Sequence, residues 1–433
     1  MSEKLAIYGG TPVLQPSDIK NWPPVDEVDE KYVLDALHAT IQSRGRHNLA
    51  FEEEFKTWNG NKFALLTNSG TAALHMCIAA CGISAGDHVL VTTYSWVSSA
   101  TCVLHHNAIP IFVDIDPETF LIDPNKIEEA ITPRTKAILV VQLHGLCADM
   151  DAINAIAKKH GLYVIEDACQ AHGSTYRNRK AGTLGHCAAF SLNQFKSLCA
   201  GEGGTFVTDD EKLYNAAAKF WSFGEIARPE QKRDYHAYAL GWMYRSNELT
   251  AAYARSQLLK LDDNLATLRA NADCLRANLA PHPALLLPYE PAECHHTYYN
   301  FNIRLDFEAL GMSNKSYAEK ERFRDAVCKA INAEGVPCTV WQHYILPAMT
   351  VFQAKNAFGG GYPWSIPGAD DGVDYNPEQF PAALKYCYSH IALVTTLRAP
   401  NGTDVARRCA EGINKVMANI ESIDVDKILP PKK

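Results

Sequence analysis

Four short segments hold the residue types needed to grip and work a phosphorylated, planar, cationic ligand. Thr67-Asn68-Ser69-Gly70-Thr71-Ala72-Ala73 precedes a run of helical periodicity. Ser69, Gly70 and Thr71 therefore set free amides and two hydroxyls at the positive end of a helix, where phosphate binds. Glu166-Asp167 closes the apolar run Tyr163-Val164-Ile165 and is followed by Gln170-Ala171-His172-Gly173. A carboxylate in that position can pair with a cationic ring nitrogen. Phe190-Ser191 leads to Lys196 and then to Gly201-Glu202-Gly203-Gly204. Lys196 lies just past an apolar run, where an amine suits Schiff-base chemistry, and Ser191 adds a hydroxyl for phosphate. Tyr94-Ser95-Trp96, after the run Val89 to Thr92, can set an aromatic face over a planar ring. Each segment also has a plain structural use, as a helix cap, a capping acid, a solvated lysine or a core aromatic. Occurring together, they make a phosphate cradle, a stacking ring, a carboxylate and an amine, the set that pyridoxal 5′-phosphate requires.

These residues must be positioned by an alternation of strands and helices. Val89 to Thr92, Ile109 to Val113, Ala137 to Val141, Tyr163 to Ile165 and Ala188 to Phe190 read as strands, separated by helix-period segments. This is the pattern of a mostly parallel sheet covered by helices, whose ligands gather at the carboxyl ends of the strands. One crossover helix is legible from end to end: Asp149 as N-cap, Met150, Ile153, Ile156 and Ala157 as its buried face, and Gly161 as its stop. Asn247 to Ala280 reads as one long helix. Strands over Tyr299 to Leu305 and Cys338 to Tyr344, and helices over Glu319 to Ala333 and Thr403 to Ala418, follow it. Gly359-Gly360-Gly361 opens a long polar loop running to about Glu378. With 433 residues, the chain exceeds what one core usually organises. The expected division is a large cofactor-binding domain over residues 1–270, including an N-terminal arm, and a smaller C-terminal α+β domain over 271–433.

The composition excludes several classes. The net charge is −8, and no basic block exceeds pairs such as Lys158-Lys159 or Lys432-Lys433, which speaks against nucleic acid or anionic membrane as partner. The 13 cysteines are scattered without a Cys-x-x-Cys pair, so reduced thiols, no metal site and a cytoplasmic setting are expected. Cys77 and Cys81 complete an apolar stripe with Leu74 and Ile78. Met1-Ser2-Glu3-Lys4 opens no signal-type run, and no apolar run approaches membrane-spanning length. The Gly-x-Gly-x-x-Gly spacing of a dinucleotide site is absent.

Segment by segment, the sequence resembles the DegT/StrS family of sugar aminotransferases, a branch of the fold type I pyridoxal-phosphate enzymes. The shared pattern comprises the Ser69-Gly70-Thr71 turn, Glu166-Asp167-x-x-Gln170-x-x-Gly173, Phe190-Ser191-x-x-x-x-Lys196 and Gly201-Glu202-Gly203-Gly204. It extends from Leu5-Ala6-Ile7-Tyr8-Gly9-Gly10 to Thr403-Asp404-Val405. The resemblance implies that Lys196 binds the cofactor covalently and carries the proton, while Asp167 keeps the pyridine nitrogen protonated. It further implies that Trp96 stacks on the ring, Gln170 faces the ring hydroxyl, and Gly70, Thr71 and Ser191 bind phosphate. The implied reaction is a double displacement in which glutamate or glutamine gives an amino group to a keto sugar or keto cyclitol. The implied assembly is a homodimer. Where the family has Gly-x-Asn-Tyr-Arg, whose Asn reaches the neighbouring subunit's phosphate, this chain has Gly241-Trp242-Met243-Tyr244-Arg245, leaving Asn247 as the nearest replacement. Candidate acceptor contacts are His144, Tyr298, His343, Tyr344 and the loop around Gly360. A regulator that binds the cofactor without turnover is the alternative from another class.

Overall fold

The computed structural model describes residues 3–226 and 234–430; Met1, Ser2 and the Lys432-Lys433 pair lie outside them. A seven-stranded sheet forms the centre. Its strands are β1 (Phe63–Thr67), β2 (His88–Thr92), β3 (Ile109–Val113), β4 (Thr135–Val141), β5 (Tyr163–Asp167), β6 (Cys187–Ser191) and β7 (Gly204–Thr208), in the order β1-β7-β6-β5-β4-β2-β3. Every pairing is parallel except those of β7, which runs against both β1 and β6. The expected α/β class is borne out. The inner strands are continuous apolar runs because helices cover both faces: Val89, Leu90, Val91, Ile138, Leu139 and Val140 are fully buried.

The crossover helix Met150–His160 forms as its caps predict, with Asp149 accepting from the Ala152 amide at 3.2 Å and Gly161 left-handed at φ +65°. The long helix after Asn247 is instead two, Glu248–Leu259 and Leu261–Asn278. It breaks at Lys260, whose Nζ reaches 2.5 Å from Asp29 Oδ2 on the helix Glu27–Leu37. The run Cys338 to Tyr344 is not a strand. Only the bridge Thr339↔Ala392 forms before the Trp341 amide turns to His390 Nε2 at 3.2 Å.

A second sheet, antiparallel, joins Leu285–Leu286, Phe301–Leu305 and His390–Leu393. There are two hydrophobic cores. The larger surrounds the seven-stranded sheet and also takes in Ile345, Phe352, Trp364, Tyr375 and Phe380 from the long loop region. The smaller is built on the second sheet and the helices Tyr317–Ala333 and Thr403–Met417, and it recruits Leu5 and Leu14 from the N-terminal arm. Cys77 and Cys81 are buried in the larger core, as their stripe predicts. Among the described residues, no helix is long and apolar enough to cross a membrane.

Candidate active site

Because β1, β2, β4, β5 and β6 run the same way, Thr67, Thr92, Val141, Asp167 and Ser191 all end at one edge of the sheet. β7 starts at that edge, and Gly204 is in register with both Thr67 and Ser191. Residues 192–203 are thus a loop pinned at its two ends by the Ser191–Gly204 pair, and this loop carries Lys196.

Ser69 caps the helix Gly70–Ala80, its hydroxyl accepting from the Ala72 amide at 3.1 Å while its carbonyl accepts from Ala73 at 3.1 Å. The Gly70 and Thr71 amides donate to no group among the described residues, so they remain available to an anion. The turn is tightly walled. A Cβ on Gly204 would fall 2.4 Å from the Ser69 carbonyl, and one on Gly70 would fall 2.8 Å from Ser191 Cβ and 3.0 Å from Cys169 Sγ.

The strand period separates the two acids of β5. Glu166 turns into the core, where the amides of Gly182, Leu184 and Gly185 and the Gln142 side chain donate to it; burial pushes its carboxyl up despite these bonds. Asp167 faces the other side. Its Oδ2 accepts from Ser99 Oγ at 2.7 Å, Ser99 Oγ is itself 2.7 Å from Ser95 Oγ, and Oδ1 accepts from the Cys169 amide at 3.2 Å. Gln170 is oriented by the His144 amide, which donates to its Oε1 at 2.9 Å.

Lys196 Nζ donates to Tyr299 Oη at 3.4 Å and stands 4.8 Å from that ring's centroid. Cys169 joins the parts of the site. Its sulfur lies against Gly70, its amide binds Asp167, and burial followed by the Asp167 charge holds its thiol well above the usual range, with the Lys196 charge opposing. Trp96 stands at the carboxyl side of β2 with 55% of its surface exposed, so a ring face is open to a ligand. Its neighbour Tyr94 is core, packed edge-on against Tyr386 and 3.1 Å from His390 Nε2.

The candidate acceptor contacts are dispersed. His144 is buried, with its ring nitrogens 2.9 Å from Tyr386 Oη and 3.1 Å from Asn300 Nδ2; burial first, then neighbouring positive groups, holds it well below the ordinary histidine range. Tyr298 takes a positive φ of +52° and turns into the smaller core, its hydroxyl held by Glu290 at 3.0 Å and Arg276 at 2.9 Å. His343 and Tyr344 are exposed. Tyr299, Ser99, Cys169 and Arg398 are site residues that sequence reasoning passed over. Cys169 sits inside the Glu166 to Gly173 segment, Ser99 three residues after Trp96 and Tyr299 beside Tyr298, whereas Arg398 had no recognised segment near it. Met243 and Tyr244 lie beside the Ser69-Gly70-Thr71 turn of their own chain, since their carbonyls accept from Asn68 Nδ2 at 3.4 Å and Asn68 N at 2.8 Å. Asn247 caps the helix Glu248–Leu259, accepting from the Thr250 amide at 2.9 Å.

A mostly parallel sheet with an acid, an amine and an open helix terminus at one edge defines a fold type I aminotransferase. Residues 23–358 match the DegT/DnrJ/EryC1/StrS aminotransferase family, and the chain belongs to it. It is similar to a putative L-glutamine:3-amino-2,3-dideoxy-scyllo-inosose aminotransferase of Streptomyces kanamyceticus, 37% identical over 78% of this chain and 79% of that protein. It is also 37% identical to the GDP-perosamine synthase of Caulobacter vibrioides, over 72% of this chain and 81% of that one. Among solved structures, an aminotransferase from Psychrobacter cryohalolentis superposes with a TM-score of 0.77 at 28% identity, over 93% of this chain and 100% of the other.

Proposed function

We propose that this chain is a pyridoxal 5′-phosphate-dependent aminotransferase that takes an amino group from L-glutamine or glutamate and delivers it to a keto cyclitol or keto sugar, working as a homodimer. The observation that carries this reading is the gathering at one sheet edge of the open Gly70-Thr71 turn, the Asp167 carboxylate and the loop that carries Lys196, with Cys169 touching the first two.

The donor set fits the cofactor. Gly70 and Thr71 offer free amides and a hydroxyl to its phosphate, and Ser69 and Ser191 flank them. Asp167, fixed by Ser99 and the Cys169 amide, keeps lone pairs for a protonated ring nitrogen, and Trp96 has an open face for the ring. When bound, pyridoxal phosphate supplies a ring that draws charge from the donor's α-carbon. Asp167 holds the proton that makes the ring electron-poor. Lys196 would tie the cofactor to the chain through Nζ and would take up the donor's α-proton at that same atom. Gln170, set by the His144 amide, presents its amide to the ring hydroxyl.

The acceptor class rests on relatives named for amino transfer to deoxy-scyllo-inososes, among them an L-glutamine:2-deoxy-scyllo-inosose aminotransferase of Micromonospora echinospora, 34% identical over 71% of this chain. Purified protein, loaded with cofactor and L-glutamine, is offered a panel of keto cyclitols and nucleotide-linked keto sugars, and amine formation is measured. Borohydride reduction of the loaded enzyme followed by peptide mapping places the covalent link. Amine formation with the link at Lys196 is expected. Labelling of another lysine overturns the site, and a loaded protein that makes no amine from any ketone of the panel overturns the reaction.

A further inference from the structure

Lys196 is approached from behind by a stack of side chains drawn from three distant parts of the chain. The Arg398 guanidinium carbon lies 5.2 Å from the Trp22 ring centroid and 5.0 Å from that of Tyr299. Tyr299 in turn is the ring beneath Lys196 Nζ. Arg398 is 1% exposed, and among the described residues no carboxylate pairs with it. Its hydrogen bonds go to two main-chain carbonyls, that of Phe195, the residue before Lys196, and that of Tyr299 at 3.1 Å. Trp22 Nε1 donates to the Gln194 carbonyl at 3.0 Å. The Arg398 turn is anchored as well: Asn401 exchanges two hydrogen bonds with Lys20, at 2.8 and 3.1 Å, and buried Asn271 donates to the Leu397 and Asn401 carbonyls at 2.8 Å each.

A buried cation without a counter-ion is costly, so a fold that retains one spends it where the geometry it fixes matters. Here the guanidinium fork sets the spacing between the backbone of the Lys196 loop and the backbone of Tyr299. Tyr299 itself is 4% exposed, and its hydroxyl accepts from Lys196 Nζ at 3.4 Å.

Resting on the assignment of Lys196 as proton carrier, we propose that Tyr299 is a further catalytic residue whose hydroxyl aims the Lys196 amine, and that Arg398 is the positioning residue that holds Tyr299 against it. In the proton step, the C–H bond at the donor's α-carbon breaks, its electron pair stays on the substrate side, and an N–H bond forms at Lys196 Nζ, turning amine into ammonium. The ammonium then returns the proton and is amine again. Tyr299 Oη accepts an N–H in both states and neither gains nor loses a proton. Holding one N–H fixes the direction of the amine lone pair, which limits the orientations lost before transfer.

The test follows exchange of the α-hydrogen of L-glutamine with solvent deuterium by NMR, without acceptor, in the cofactor-loaded enzyme. Rates are expressed per borohydride-labelled Lys196 site. In Tyr299→Phe, the per-site exchange rate is expected to fall roughly tenfold to a hundredfold, the loss typical of a hydrogen bond to a charged group, with the donor KM within about threefold of wild type. Arg398→Lys should fall likewise, and the double variant should lose no more than the worse single one, since both act through one contact. A merely structural role would lower the labelled fraction and leave the per-site rate intact, which overturns the proposal. Should Arg398→Lys fail to fold, Tyr299→Phe decides alone. Labelling away from Lys196 in the wild type instead overturns the underlying site assignment, a separate outcome.

Discussion

The Ser99 hydroxyl, in the first turn of the helix Ser98–His105, lies 2.7 Å from Asp167 Oδ2 and is backed at 2.7 Å by Ser95, which precedes that helix, so a hydroxyl pair aims the carboxylate at the end of β5. Losing the carboxylate charge is expected to cost more than losing its orientation. Asp167→Asn should retain the fold and lose about a hundredfold or more in turnover, by analogy with other removed electrostatic partners. Ser99→Ala should lose about tenfold, the worth of one hydrogen bond to a charged group. Steady-state rates with glutamine and a competent ketone, set beside melting curves, check both.

Gly204 is where the sheet register meets the Ser69-Gly70-Thr71 turn. Gly204→Ala would put a methyl 2.4 Å from the Ser69 carbonyl and 2.6 Å from the Gly70 nitrogen. Backbone must move to make room, at roughly 1–3 kcal/mol. Cofactor titration of the apo-protein should show at least a tenfold weaker Kd, and an unaltered Kd would mean that the turn does not hold the phosphate.

Burial pushes the Glu52 carboxyl from 4.5 up to about 7, the Leu66 amide bond opposing. The folded state therefore holds this proton more tightly than the unfolded chain does. The stabilisation from Glu52 is complete below about pH 4.5 and lost as the pH rises through 7. Glu52→Gln keeps the acceptor for Leu66 without a charge. It should equal wild type near pH 4 and be more stable by up to about 3 kcal/mol at pH 8. Denaturant titrations of both proteins at the two pH values check this.

Around Met243 the surface is apolar: Phe223, Tyr238, Leu240, Trp242 and Met243 are each more than 40% exposed. A patch of this kind beside the phosphate turn suits a partner subunit. Light scattering is expected to report a dimer, with an interface of about 2,000 Å² or more. Trp242→Asp should raise the monomer fraction and lower cofactor occupancy together. Met243→Asn should leave the dimer intact and cofactor affinity equal or higher, whereas an active wild-type monomer would remove the assembly from the function.

The sequence alone determined the parts of this protein that are local. Strand runs buried on both faces and the Asp149 cap with its Gly161 stop follow from spacing within a few residues. The Ser-Gly-Thr turn, the acid and the lysine were legible because each sits at a strand end, and parallel strands bring their ends to one edge. What the tertiary structure decided involves residues far apart in the chain. Tyr298 was one of the candidate acceptor contacts in the sequence, yet at a positive φ its hydroxyl engages Glu290, and it is Tyr299 that meets Lys196. His144 offers Gln170 its main chain because Tyr386, 242 residues on, engages its ring. At the helix break Lys260 pairs with Asp29, and the lysine loop is held by Arg398 and Trp22. Such pairings have no period to read, because the energy that selects them is burial and hydrogen bonding between segments that only the completed fold brings together.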